Sequence, residues 1–393
     1  MNEREAKENV VNAGKRLVKS GLIARTWGNV SCRISDNYFV ITPSGRDYLT
    51  LSPEEIVKVS IADLSYRGDI KPSSEKGIHA EIYKYNPKIN FVIHTHQKNA
   101  SVLSAMGLDS ISIDTANQNI ICASYALPGT KKLRNNVSQA LRRSNGNAII
   151  MKNHGAICFG KDDEEAFWVA SALEDACNDF IVKQYKKISN EENYDPDRMR
   201  QFLLNRIKKQ DSLDNGFIGN CYNSKRTEDG FILFAEHKDN VHVKFGESSS
   251  FLSEEAKIHN AIYGKCKNIN HIIHASSPDI LAISRANITL YPMVDDFAQI
   301  VGTKVKTVIY TANDIANALK NTSAVIIKNK GALCCAASEE DAFAIEMILE
   351  KNSKIALCSS LFKDVKPLSK LDSMLMRFVY LKKYSKQMNN ITE

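Results

Sequence analysis

An α/β fold, present twice in tandem, is what the sequence predicts. Short apolar runs of strand length alternate with amphipathic segments of helix length. The chain has 393 residues, and at roughly 100–200 residues per domain two or three domains are expected. Two stretches of the first half also reappear in the second half, in the same order.

The elements follow in order. A first helix is expected over residues 3–20, ended by Gly21. "GNVSCRI" and "YFVITPSG" read as strands, being rich in β-branched and aromatic residues and bounded by turn formers. In "LTLSPEEIVKVSI", Ser52 caps a helical turn with Pro53 at its first position, and a strand follows. "SSEKGIHAEIYKYNP" reads as a helix. Its Ile78, Ile82 and Tyr83 fall at i, i+4 and i+5, and Pro87 closes it. "NFVIHTH" is a short buried strand, and "NAIIMKNHGAICFG" is strand, turn, strand. "DDEEAFWVASALEDACNDFIVKQYKK" is a long amphipathic helix whose acidic first turn suits the helix dipole. Residues 186–229 are charged and poor in β-formers, so a linker is expected there. This leaves a first domain over 1–185 and a second over 230–393.

Glu75–His94 aligns with Glu255–His274 at nine of twenty positions, and Ala148–Cys158 with Ala324–Cys334 at seven of eleven. The offset changes only from 180 to 176. A tandem duplication explains this, and the copies differ informatively. His94 recurs as His274, but His96 becomes Ser276 and His154 becomes Lys330.

Composition bounds the function. Hydrophobic residues make up 43% and charged residues 25%, ordinary for a globular protein. No apolar run nears the ~18 residues that span a membrane, and the N-terminus is charged from residue 3. A cytoplasmic protein without membrane contact is expected. The nine cysteines form no C-x-x-C pair and read as reduced, mostly buried thiols. A net charge of +7 is mild, and no basic run carries interleaved aromatics, so nucleic acid is not an expected partner.

Strand side chains alternate faces, so His94 and His96 point the same way. Two such imidazoles can share one ion, and a catalytic zinc takes about three protein ligands. The third is His154, in "KNHGAI", because its loss in the second copy tracks the loss of His96. His79 recurs as His259 in the half expected to lack metal, so its role reads as structural. "TPSGRD" (42–47), "KPSSEK" (71–76) and "TWGNVS" (26–31) are turns of small residues with free amides and short hydroxyls, a composition that cradles anions.

Taken in order, "GLIARTWGNVSCR", "ITPSG", "KPSSE", "FVIHTH", "YALPGT" and "KNHG" resemble the class II aldolase/adducin family, and within it the zinc-dependent L-fuculose-phosphate aldolases. The resemblance covers residues 5–180, and the second copy resembles the same fold with eroded motifs. It implies a three-layer αβα domain with a largely antiparallel central sheet, twice in tandem. It further implies zinc, or another divalent metal, on His94, His96 and His154, with Glu75 as catalytic acid/base. Gly28, Asn29, Ser44, Gly45, Ser73 and Ser74 would hold the phosphate of a small phosphorylated sugar. The implied activity is aldol cleavage of a phosphorylated ketose, with the metal stabilising the enediolate. A sugar-phosphate 4-epimerase or dehydratase on the same site, or a non-catalytic adducin-like binding protein, are the alternatives. The epimerase branch typically has Asp where this chain has Glu75. The family contains ring-shaped tetramers, so a homo-oligomer is expected: two such chains would imitate a four-domain ring, or four would assemble.

Overall fold

The computed structural model describes residues 2–23, 27–113, 118–207, 222–235, 239–247 and 252–389. Residues 24–26 of the motif around Gly28, and residues 208–221 of the expected linker, lie outside the described residues. The chain forms two compact units, Met1–Lys187 and Ile188–Glu393.

In the first unit, helix α1 (Glu3–Lys19) precedes strands β1 (Asn29–Arg33), β2 (Tyr38–Ile41) and β3 (Val57–Ser60). Then come α2 (Lys76–Tyr85), β4 (Phe91–Thr95), α3 (Lys98–Ala105), β5 (Ser110–Ile113) and β6 (Gln118–Ala123). Helix α4 (Lys131–Arg143), β7 (Ala148–Met151), β8 (Gly155–Gly160) and α5 (Asp163–Ser189) complete it. The strands form one sheet in the order β3-β2-β1-β4-β8-β7-β6-β5. Its pairs are antiparallel except β6 with β7, so the sheet is mixed rather than purely antiparallel. Helices cover both faces. On the face of α2 and α4, Val92, Ile149, Met151, Ile157 and Phe159 join Ile78, Ile82, Leu133 and Val137 in one apolar core. Strand β4 sits between β1 and β8, and all five of its residues are buried. A central strand of this kind is a rigid support for side chains at its end.

The second unit opens with α6 (Pro196–Ile207), β9 (Tyr222–Arg226), β10 (Gly230–Ala235), β11 (Val241–Lys244) and α7 (Glu254–Lys265). It continues through β12 (His271–Ala275), α8 (Pro278–Ala286), β13 (Thr307–Val308), α9 (Ala312–Ala318), β14 (Ala324–Ile327) and β15 (Gly331–Ala336). Helices α10 (Glu339–Cys358) and α11 (Lys370–Asn389) follow. Its sheet runs β11-β10-β9-β12-β15-β14-β13, the topology of the first with one edge strand fewer. Here too one pair, β13 with β14, is parallel.

The segment expected to be a linker differs from that expectation where it is described. Met199, Leu203 and Leu204 of α6, at i, i+4 and i+5, are buried, and Arg200 Nε donates to Asp279 Oδ1 at 2.9 Å. The charges that made it look like a spacer decorate an amphipathic helix. Among the described residues no helix is long and apolar enough to cross a membrane.

Candidate metal centre

The site is built at the end of β4. Two glycines let neighbouring backbone close on that end. Gly28 has φ +126°, and a Cβ there would lie 2.6 Å from the His94 carbonyl oxygen. A Cβ on Gly155 would lie 2.3 Å from the Thr95 carbonyl oxygen. No larger residue fits at either approach without moving backbone. Asn153, at φ +56°, turns β7 into β8 and carries His154 over His94.

The imidazole rings of His94 and His154 stack at 4.8 Å, 6° from parallel, and His96 meets His94 edge-on at 4.6 Å. Ligand-capable nitrogens of His94, His96 and His154 all lie within 4.8 Å of one another. His94 Nδ1 donates to the Ala156 carbonyl at 2.9 Å, which leaves the lone pair on Nε2. That Nε2 faces His96 Nε2 at 2.9 Å. Two ligand nitrogens ~2.1 Å from a tetrahedral zinc stand roughly 3.4 Å apart, so the pair needs a shift of only about 0.5 Å to chelate. A ring nitrogen tied to a backbone carbonyl is also how metal-binding histidines are usually oriented. The three residues therefore fit a divalent metal. Burial holds His94 neutral, against the opposing pull of Glu75.

Glu75 stands at the N-terminus of α2, buried. Its Oε1 is 3.1 Å from His154 Nε2, and its Oε2 is 3.5 Å from His94 Nε2. Asn29 Nδ2 donates to Oε2 at 3.0 Å. Burial pushes the Glu75 carboxyl up, but His154, His94 and Asn29 together outweigh it and hold the group well below the ordinary carboxylate range.

The two Pro-Ser turns are brought side by side. Pro43 bridges Pro72, Ser44 N donates to Lys71 O at 2.9 Å, and Ser73 N donates to Thr42 O at 3.0 Å. Those two amides are thus engaged with each other's turn. Ser73 Oγ accepts from Glu75 N at 3.2 Å, so its own hydroxyl proton remains to be donated. Ser73, Ser74 and Glu75 lead into α2, and Gly129 approaches Ser74 closely, a Cβ there lying 3.3 Å from Ser74 Oγ. Gly45, at φ +75°, closes the other turn. Asn29 differs from the rest of the anion set expected from the sequence: its side-chain amide is engaged by Glu75 and by His79 Nε2.

Sequence reasoning gave His79 a structural role but did not find the side chains that join it behind this site. Ser31 Oγ lies 2.6 Å from His79 Nδ1 and 2.7 Å from the Tyr83 hydroxyl. The second unit repeats this with Ser224 Oγ, 2.6 Å from His259 Nδ1 and 2.7 Å from the Tyr263 hydroxyl. The signal was present, since the histidine and the tyrosine recur in both copies four residues apart. At the end of β12, by contrast, Lys330 Nζ lies 4.2 Å from the Tyr310 ring centroid, and Tyr310 donates to Glu255 Oε1 at 3.3 Å. A cation and a phenol there contact one another where the first copy gathers imidazoles.

A family model for the "Class II Aldolase and Adducin N-terminal domain" matches residues 8–181 and again 221–357. The 5-deoxy-D-ribulose 1-phosphate aldolase of Bacillus thuringiensis serovar kurstaki is 33% identical over 178 residues, which are 44% of this chain and 82% of that protein. The L-fuculose phosphate aldolase of Haemophilus influenzae is 31% identical over 179 residues, 44% of this chain and 81% of the relative. A solved L-fuculose 1-phosphate aldolase structure is 26% identical, covers 50% of this chain and 93% of its own, and gives a TM-score of 0.41. The chain matches over both of its halves, and it belongs to the class II aldolase and adducin N-terminal domain family, which it carries twice.

Proposed function

We propose that the first unit is a metal-dependent aldolase that cleaves a small phosphorylated ketose, with Glu75 as its acid/base and His94, His96 and His154 as metal ligands. One observation carries the reading: three imidazole nitrogens lie within 4.8 Å of one another, with a buried carboxylate 3.1 Å from one of them. A divalent metal held there would supply Lewis-acid polarisation of the substrate carbonyl. The protein's own residues do the rest. As the carbon–carbon bond breaks, the hydroxyl proton leaves to water, and Glu75, aimed by Asn29, relays a proton from water to the carbon beside that carbonyl. Ser44, Gly45, Ser73, Ser74 and Gly28 receive the phosphate. The N-terminus of α2, where Ser73 and Ser74 stand, favours an anion. The aldolase names of the two relatives support a sugar phosphate as the substrate class.

In this reading the second unit is non-catalytic, since serine and lysine replace two of the three imidazoles. The chain works in the cytoplasm as a homo-oligomer. Eight free cysteines among the described residues favour a reducing compartment. Exposed Leu371 and Phe378 on α11 offer an apolar surface for assembly. The test is incubation with a panel of ketose 1-phosphates, and with dihydroxyacetone phosphate plus aldehydes, with and without chelator. Turnover that survives complete metal removal, or no turnover of any member by the zinc-loaded protein, would reject it. A fully active monomer by mass measurement would remove the oligomer.

A further inference from the structure

Asn29, Ser31, His79 and Tyr83 are all buried and form one line of hydrogen bonds that ends on Glu75. Its direction follows from counting protons. Asn29 Nδ2 lies 3.0 Å from Glu75 Oε2, so the amide turns its NH2 towards the carboxyl oxygen. The Asn29 Oδ1 then faces His79 Nε2, which must carry a proton to donate. A neutral imidazole has one such proton, which makes Nδ1 the acceptor from Ser31. Ser31 has one hydrogen to give, so it accepts from Tyr83. Every donor points towards the carboxylate. Burial pushes His79 down to about 4, which keeps it in the neutral form this arrangement requires.

The second unit separates what the fold needs from what the site needs. Ser224, His259 and Tyr263 keep the same contacts at the same distances. Asn29, however, is matched by Tyr222, and Glu255 takes its hydrogen bond from Tyr310 instead. The serine–histidine–tyrosine group is therefore common support, and among the described residues only the first copy extends it to an acidic side chain. We propose that His79 is a positioning residue: it fixes the orientation of Asn29, and through Asn29 it aims the Glu75 carboxylate for proton transfer. The proposal rests on the aldolase reading for the reaction it serves, though not for the hydrogen-bond chain itself.

Two measurements test it, and the first needs no activity. In 1H–15N spectra of the full-length, metal-free protein, the imidazole signal lost in His79→Gln is expected to be an Nε2–H tautomer with a bare Nδ1. An Nδ1–H tautomer would reverse the line of donors and overturn the proposal. The second follows solvent deuterium entering dihydroxyacetone phosphate on the zinc-loaded protein. His79→Gln is expected to lower the kcat of exchange about 10- to 100-fold, with KM and zinc content within about twofold. His259→Gln, which breaks the same three-residue group in the other copy, is expected to exchange at the wild-type rate. Wild-type exchange in His79→Gln, or equal losses in both variants, would overturn it. Absence of exchange in the wild type would instead sink the aldolase reading, and the tautomer would still decide the hydrogen-bond chain.

Discussion

Replacing Gly155 by alanine tests whether the turn between β7 and β8 holds the third imidazole in place. The new Cβ would stand 2.3 Å from the Thr95 carbonyl oxygen and 3.2 Å from His94 Cε1, where ordinary contact begins at 3.4 Å. The obstacle at 2.3 Å is backbone of the central strand, so the turn has to lift by about 1 Å, at a cost of roughly 1–3 kcal/mol. For a unit of this size that lowers the melting temperature by about 2–10 °C. His154 is the residue before it, and a zinc–nitrogen bond tolerates only a few tenths of an ångström. Zinc affinity, read by competition with a chromophoric chelator, is therefore expected to fall about 10- to 100-fold. Gly331→Ala is the matched control. Its Cβ would meet the Ala275 carbonyl oxygen at the same 2.3 Å in the second unit, and it additionally strains a φ of +92°. It should lose stability while zinc affinity stays at the wild-type value. A Gly155→Ala protein that bound zinc as tightly as the wild type would refute the geometric reasoning.

Other outcomes are expected on the same grounds. His94→Ala should reduce bound zinc from about one per chain to near zero by elemental analysis, since His94 contributes the Nε2 lone pair that faces His96. Glu75→Gln should lower kcat by about 10²–10⁴ while retaining the metal, and a variant that lost both would make Glu75 a ligand instead of the base. Acid should destabilise the second unit through His259, which burial pushes down to about 3. A histidine whose folded pKa lies below its unfolded value of ~6.5 contributes stability above pH 6.5 that fades as pH falls towards 3, about 2 kcal/mol being lost by pH 5. Denaturant melts of wild type and His259→Gln should converge across that window, and parallel curves would rule His259 out as the cause.

Much of the fold could be read from the amino-acid order because the chain states it twice. His94 and His96 were legible from the two-residue period of a strand, and His154 from its disappearance together with His96. What resisted reading depends on which strands become neighbours. Asn29 pairs with His94 across β1 and β4, sixty-five positions away, and no local pattern says so. From sequence, Asn29 looked like a partner for the substrate phosphate, whereas its amide bonds to Glu75 and His79. The segment before β9 misled for another reason: average composition hides facing, and α6 concentrates its apolar residues on one side.

The contact between His94 Nδ1 and the carbonyl of residue 156 belongs to the main chain. No point mutation at that position can delete an oxygen that every amino acid carries. The proton inventory of the central imidazole is thus insulated from side-chain substitution at position 156.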